Sequence, residues 1–423
     1  FLQVHNYTVL ENIVLGTRVS RPFSLNLALE KRNLVELCQR FGLEVDLDAR
    51  IEDLPMGARQ KVEILKAIYR GVEILILDEP TTNLTPQEVD ALFQSLRVMV
   101  KEGLSIVFIT HKLREVLEVC DRITVLRNGK NVVTLAREEA SEEAFVRGMV
   151  GEELQIEESV IFSERGSETT CGEGCIARIQ DASLQSGELF LLKNINLEIH
   201  EGEILGIAGV AGNGQAELAE IMVGVQHVTG GSIFFDGRSI TAASTEELLE
   251  HGVAYIPEDR LHDGFLPRAS VAQNLILGYQ RQEPYSKKGF MDWKSIYAIT
   301  RGLIQKYNIK TSGPEAVGAD LSGGNIQRVL IARAFSRTAR LMVLHNPTRG
   351  LDIPSMDFVY SNLLTRKAAG MAALLLSENL DELLLLCDRI AVIYRGQIAG
   401  VLGRAQFEKY EIGRLMSGVR TGA

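Results

Sequence analysis

Short apolar runs that stop abruptly at a polar residue recur along this chain. Ile74-Leu75-Ile76-Leu77 ends at Asp78, and Ser105-Ile106-Val107-Phe108-Ile109 ends at Thr110. Leu341 to Leu344 and Ala372 to Leu376 repeat the arrangement. Unbroken apolarity over so short a length predicts strands buried on both faces of a parallel sheet. Between these runs, Thr85-Pro86-Gln87-Glu88 predicts a helix with proline in its first turn, running towards Val100. Pro354 to Ala368 repeats that helix. Strand and helix alternate, which predicts an α/β fold built on a mostly parallel sheet.

The recurrence is an internal repeat. Thr8-Val-Leu-Glu-Asn-Ile-Val-Leu-Gly16 resembles Ser270-Val-Ala-Gln-Asn-Leu-Ile-Leu-Gly278, and Leu54-Pro-Met-Gly-Ala-Arg-Gln60 resembles Leu321-Ser-Gly-Gly-Asn-Ile-Gln327. Glu79-Pro80-Thr81 answers to Asn346-Pro347-Thr348, and Cys120-Asp121-Arg122-Ile123 to Cys387-Asp388-Arg389-Ile390. Leu54 to Asp78 and Leu321 to His345 both span 24 residues, while Asp78 to His111 and His345 to Glu378 both span 33. Four matches in register mark a tandem duplication. The boundaries expected are 1–151 for the first domain, 152–175 for an acidic linker and 176–423 for the second domain. Cys171 and Cys175 in the linker lack nearby histidines, so spacer is preferred over half a metal site.

The second copy has 94 residues between Ile176 and Ser270, whereas only seven precede Thr8. The chain opens Phe1-Leu2-Gln3-Val4, with no initiator methionine and no signal-peptide features. The expectation is an N-terminal truncation that leaves the first domain incomplete.

Composition narrows the field. Lys plus Arg is 45 and Asp plus Glu is 55, a net charge of −10. That balance supplies no general attraction to nucleic acid or to anionic lipid. No apolar run is long enough to span a bilayer; the richest, Met371 to Cys387, is broken by Glu378, Asn379, Asp381 and Glu382. The five cysteines, Cys38, Cys120, Cys171, Cys175 and Cys387, are too sparse for a disulfide scaffold and suit a reducing compartment.

Chemistry is concentrated at strand ends and helix starts. Asp78, at the tip of an apolar strand, can hold Mg²⁺, and the adjacent Glu79 can polarise a water for attack on a phosphoryl group. His111, after the next strand, can reach a γ-phosphate. Ser322 is a candidate N-cap for the helical run that follows, and Gly323 and Gly324 expose backbone N–H groups at a positive helix end. An ordinary capped helix is the alternative.

Together these residues resemble the ATP-binding cassette (ABC) ATPases. The Leu321-Ser322-Gly323-Gly324 signature followed by Asn325, the strand-terminal acids and the following histidine carry the resemblance, which covers the whole chain except the linker. It implies two tandem ABC domains, each a P-loop NTPase-like parallel sheet flanked by helices, with ATP and Mg²⁺ as cofactors. More narrowly, Tyr255-Ile-Pro-Glu-Asp-Arg260 and Asn346-Pro-Thr-Arg-Gly-Leu-Asp352 resemble the tandem ATPase subunits of simple-sugar and nucleoside importers. Ser377-Glu378-Asn379-Leu-Asp-Glu382 leans towards the nucleoside branch.

Each copy departs from the family pattern. A P-loop needs Gly-x-x-x-x-Gly-Lys-Ser/Thr, in which backbone N–H groups cradle phosphates, the lysine reaches their oxygens and the hydroxyl binds Mg²⁺. The second copy offers Gly209-Val-Ala-Gly212-Asn213-Gly214-Gln215-Ala216, expected as a nucleotide-binding cradle that has lost the lysine and the hydroxyl. His345 and Asn346 replace its acid pair, Glu258 stands at the Q-loop position and Glu378 at the switch-histidine position. The first copy keeps Asp78, Glu79 and His111, but its signature is degenerate: Leu54-Pro55-Met56-Gly57. The resemblance implies head-to-tail pairing, which gives one competent and one degenerate site. The repeat register places the first copy's P-loop upstream of residue 1, so the chain by itself is expected to be inactive.

The resulting expectation is an ATP-hydrolysing subunit of an importer for nucleosides, with a ribose-, xylose- or galactose-type sugar importer as the alternative. A non-catalytic nucleotide-binding protein is the reading if residue 1 is the true start. The implied partners are transmembrane permease subunits and, indirectly, an extracytoplasmic substrate-binding protein, with no nucleic acid. The implied place is peripheral, at the cytoplasmic face of the plasma (inner) membrane. A tandem ABC protein acting on ribosomes or DNA would be expected to carry a long charged linker and two complete sites.

Overall fold

A computed structural model describes residues 2–16, 26–81, 84–110, 112–127, 129–140, 159–161, 172, 174–187 and 189–418. Most of the linker, including Cys171, and the candidate His111 lie outside the described residues. The chain divides into two compact units, Phe1–Glu153 and Leu154–Ala423.

In the first unit, β1 (Ile74–Asp78) and β2 (Ser105–Ile109) pair in parallel, from Ile74 opposite Ser105 to Asp78 opposite Ile109. The strands β3 (Arg122–Arg127) and β4 (Lys130–Ala136) form an antiparallel ribbon. The helix Pro86–Lys101 links β1 to β2 and begins as the sequence requires. Thr85 and Glu88 close a capping box around Pro86, so the first N–H groups are satisfied locally. Helices Leu27–Phe41 and Met56–Tyr69 complete a core that includes Leu75, Leu77, Phe93 and Met99.

The second unit is more complete. Two antiparallel strands of twelve residues, β5 (Cys175–Ser186) and β6 (Leu189–His200), lead into β7 (Ile204–Ala208). Strands β8 (Gly230–Phe235) and β9 (Arg238–Ser239) join the first two in a sheet ordered β6-β5-β8-β9. After β10 (Val253–Ile256) comes the small hairpin of β11 (Ser286–Lys287) and β12 (Phe290–Met291). Then follow β13 (Leu341–His345), β14 (Ala372–Ser377), β15 (Arg389–Tyr394) and β16 (Gln397–Gly403). The main sheet runs β10-β13-β14-β7-β15-β16 and is parallel except at its β15–β16 edge. Alternate residues of its strands serve opposite cores. Met342, Leu344, Ala373 and Leu375 pack in the core that includes Phe335 and Tyr360, whereas Leu341, Val343, Leu374 and Leu376 pack in the core that includes β5 and β6.

The duplication is reproduced bond by bond. Thr8 with Glu11 and Ser270 with Gln273 form matching capping boxes. Asn12 exchanges hydrogen bonds with the Val4 backbone at 2.8 and 3.0 Å, as Asn274 does with Leu266. Gln60 donates to the Pro80 carbonyl and Gln327 to that of Pro347. Thr81 donates to Glu115, and Thr348 to Glu382, each at 2.8 Å.

One expectation needs correcting. β13 is buried along its whole length, but β1 alternates: Leu75 and Leu77 are buried while Ile74 and Ile76 are 61% and 64% exposed. Their counterparts Leu341 and Val343 are 0% exposed, packed in the core that β5 and β6 share with the second sheet's other face. In the first unit the described residues supply no such layer, so continuous apolarity in β1 does not become two-sided burial.

Candidate functional site

Asp78 and Glu79 stand where β1 ends. Asp78 is exposed at the strand tip and Glu79 is half-buried. Glu79 leaves the strand in the left-handed region, at φ 47°, and its N–H donates to Ile109 O at 2.9 Å. Thr110 Oγ1 donates to Glu79 Oε2 at 3.4 Å. These bonds pin the carboxylate at the end of the sheet, where parallel strands present ligand-binding groups.

The signature of the second unit follows a short turn, Gly318–Asp320, and opens the helix Gly323–Phe335. Leu321 is buried and anchors the segment, while Ser322, Gly323 and Gly324 are exposed. The sequence reading of Ser322 as a capping side chain is not what the structure shows. Ser322 occupies the N-cap position but its side chain accepts none of the helix's backbone N–H groups. Its Oγ accepts from Asn325 Nδ2 at 2.8 Å, and Asn325 Oδ1 accepts the Lys310 N–H at 2.8 Å. With the amide oriented by Lys310, the Ser322 oxygen is an acceptor within the protein and its proton is left to donate outward. A Cβ at Gly323 or Gly324 meets nothing within 4 Å. Nothing within the unit therefore requires these glycines; open backbone at a helix N-terminus is an anion-binding arrangement.

The equivalent segment of the first unit is built differently. Pro55 holds the N-cap position without a side-chain bond, and Met56 is half-buried. Leu54 O accepts from Arg59 Nε at 3.0 Å. Gly57 is buried, and a Cβ there falls 2.6 Å from Glu88 Oε1 and 3.1 Å from Leu84 Cδ2. Its glycine is explained by packing.

The glycine loop of the second unit runs from β7 into the helix Gln215–Met222. Gly212 and Gly214 adopt φ of 83° and 109°. A Cβ at Gly209 stands 2.6 Å from Gln215 Nε2 and 3.0 Å from the Ile393 carbonyl oxygen, so only glycine fits. Gln215 turns back into the loop: its Nε2 donates to Val210 O at 3.0 Å and its Oε1 accepts the Asn213 N–H at 3.1 Å.

The remaining substituted positions bind one another. Asn346 Nδ2 donates to Glu258 Oε1 at 3.0 Å, and Asn346 Oδ1 accepts the Glu378 N–H at 3.0 Å. Arg349 pairs with Glu258, and His345 Nε2 lies 3.4 Å from Glu258 Oε2. Burial outweighs that carboxylate and holds the His345 imidazole below its ordinary value. Behind this group Glu382, fully buried, accepts from Thr348 and Ser377, and desolvation raises its pKa. A cleft of about 640 Å³ opens here, lined among others by Ala216, Glu220, Glu258, Arg260, Gly324 and His345.

ATP and Mg²⁺ fit these residues unevenly. Asp78 and Glu79 supply the hard oxygen donors a divalent cation takes, and the Ser322 to Gly324 segment supplies unobstructed donors for phosphate. The Gly209 to Ala216 loop fits neither, because Gln215 brings no positive charge, Ala216 no hydroxyl, and Asn213 N–H is already bonded. Among the described residues no group of three or more His, Cys, Asp or Glu side chains is arranged to hold a metal ion. None of the described helices is long and apolar enough to cross a membrane. The roles of Gln215 and Asn325 were missed in the sequence. Each sits in a motif, but its partners Val210 and Lys310 are identified only by the fold.

Comparison with known proteins identifies a family and relatives within it. The family model described as "ABC transporter" matches residues 3–82 and 192–349, more than half the chain. The chain is 38% identical over 419 residues to the nucleoside import ATP-binding protein NupA of Lactococcus lactis subsp. cremoris, covering 99% of this chain and 81% of that protein. It is 36% identical to the glucose import ATP-binding protein TsgD13 of Haloferax volcanii, covering 99% and 80%. It is 35% identical to the guanosine import ATP-binding protein NupO of Bacillus subtilis, covering 99% and 81%.

Proposed function

The chain belongs to the ABC transporter family, and from that premise we propose that it is the ATP-hydrolysing subunit of an importer of nucleosides. The observation that carries the phosphoryl chemistry is the exposed, uncapped Ser322-Gly323-Gly324 segment, whose open backbone answers no need within its own unit. Nucleosides are favoured by the likeness to the Lactococcus and Bacillus proteins together with the Ser377 to Glu382 segment. Simple sugars are the second reading, favoured by the Haloferax relative.

Each residue has a proposed task. Asp78 is the carboxylate for Mg²⁺, and Glu79, oriented through Oε2 by Thr110, accepts hydrogen bonding from the attacking water. His111 is proposed for the γ-phosphate from its place after β2. Ser322 Oγ donates outward, and the first-turn N–H groups at Gly323 and Gly324 stabilise negative charge. ATP supplies the phosphoryl group and Mg²⁺ neutralises its oxygens. The proposed domains are 1–151 and 176–423, joined by 152–175. Proposed partners are permease subunits and, through them, an extracytoplasmic binding protein, with no nucleic acid; the proposed place is the cytoplasmic face of the inner membrane.

Uptake of labelled guanosine, uridine and ribose by cells lacking the protein tests this reading. Nucleoside uptake is expected to vanish and to return with the wild type but not with Gly324→Asp, while ribose uptake persists. Loss of ribose uptake alone establishes the sugar reading, and normal uptake of all three refutes both.

A further inference from the structure

We propose that the glycine loop of the second unit is closed by its own glutamine and takes no nucleotide phosphate, so that it keeps one conformation with or without ATP. The proposal goes beyond the importer reading and does not depend on the cargo.

Gln215 is the centre of the argument. Only 7% of it is exposed, and its carboxamide spans the loop it follows. Oε1 accepts the Asn213 N–H at 3.1 Å while Nε2 donates to Val210 O at 3.0 Å. A lysine at this position carries donors and a charge but no acceptor, so it leaves loop N–H groups for a phosphate oxygen. The amide carries one acceptor and spends it on such a group. In effect the side-chain oxygen stands where an anion's oxygen would, and a neutral group does the work of an ion pair.

Asn213 is held from every other side as well. Its Nδ2 donates to Val210 O at 2.8 Å, its Oδ1 accepts the Arg395 N–H at 2.8 Å, and its carbonyl accepts the Gly396 N–H at 2.9 Å. The loop is thereby tied to the turn between β15 and β16. A phosphate that displaced Oε1 would strand a buried amide oxygen, a desolvation cost charged before any binding is counted. Electrostatics add to this. Glu220, Glu258, Asp259 and Asp263 line the adjoining cleft against Arg260 and Arg349, and Arg349 is already paired with Glu258. Ala216 offers no metal ligand. Glu258, Asn346 and the Glu378 N–H are likewise bonded to one another.

Amide hydrogen exchange on the full chain, resolved at Asn213, tests the proposal. In the wild type Asn213 is expected to be protected without ligand, and millimolar MgATP should leave that protection unchanged. Gln215→Ala, which removes both bonds, should raise the exchange rate of Asn213 by about tenfold or more. Gln215→Lys keeps a donor for Val210 O and removes the acceptor, so it should raise exchange at Asn213 too, and MgATP should lower it again. Gln215→Lys also serves if the alanine variant does not fold. Added protection of wild-type Asn213 by MgATP overturns the proposal. So does an Asn213 that exchanges equally slowly in the wild type and in a folded Gln215 variant. Transport is not read in this experiment, so a failure of the importer reading leaves its result intact.

Discussion

Asn325 decides which way one hydroxyl points. Its Oδ1 is taken by the Lys310 N–H, which leaves Nδ2 to face Ser322 and Ser322 to donate outward. Asn325→Asp keeps the oxygen for Lys310 but replaces the donor with an acceptor, so the Ser322 proton turns inward. In the assembled importer, ATP turnover is expected to fall by tens to hundreds of fold, the scale of losing one donor to a transition-state anion. In a Ser322→Ala background the same change should alter turnover less than about twofold, since no hydroxyl remains to be turned. Independent losses that multiply would show that Asn325 acts elsewhere. His345 gives a residue-scale prediction of another kind. Its folded-state pKa lies below the ordinary imidazole value, so the unfolded chain binds the proton first as pH falls. Stability from this group is complete above about pH 6.5 and is lost as pH drops below it, until the folded protein is protonated as well. His345→Asn should flatten that slope in denaturant unfolding between about pH 7.5 and pH 5.5. Glu382, with its raised pKa, contributes the opposite slope to both proteins and cancels in the difference. An unchanged slope would mean that His345 is not held neutral.

At the scale of elements, the same strand has been built twice with different surroundings. Ile76 in β1 and Val343 in β13 occupy matching positions, yet one is 64% exposed and the other 0%. Val343→Ala should destabilise its unit by about 2 kcal/mol or more through transfer and cavity costs. Ile76→Ala should cost its own unit less than about 1 kcal/mol, mostly from β-propensity. Chemical unfolding of the two variants checks this, and equal losses would show that the outer face of β1 is covered in solution. The strands β1, β2, β13 and β14 and the helices that link each pair were legible in the sequence, because apolar run length and capping residues are local signals; the antiparallel sheet of β5, β6, β8 and β9 was not. What covers each strand face was not. Burial depends on layers contributed from distant parts of the chain, and the residues of β1 carry no mark of whether such a layer is present. The signature helix shows the same limit. Ser-Gly-Gly marks its start unambiguously, but that Ser322 bonds sideways to Asn325 rather than down onto the helix depends on Lys310, which the motif does not contain.

Across the whole molecule, the duplication was legible because landmark spacings are conserved between copies, and the structure shows the hydrogen bonds that preserve them. Thr81 with Glu115 and Thr348 with Glu382 hold the same corner, as do Gln60 and Gln327. The framework bonds match while the ligand-facing positions differ. What the sequence did not convey is that Glu258, His345 and Asn346 of the second unit face or bond one another while Gln215 bonds its own loop; read singly, they are only losses. The left-handed corner after β1 and β13 shows where this leads. Glu79 and Asn346 sit there at φ 47° and 46°. Asparagine enters that region more readily than glutamate, and a residue poorly suited to it carries about 1–3 kcal/mol of strain. The same exchange at this corner therefore has opposite signs for folding and for chemistry. Exchanging glutamate for asparagine runs downhill for folding and bars the acid's chemistry, whereas the return step runs uphill and brings no reward until the neighbouring positions revert as well. A duplicated enzyme domain that has taken such a step is held there as by a ratchet, and its history becomes hard to reverse one mutation at a time.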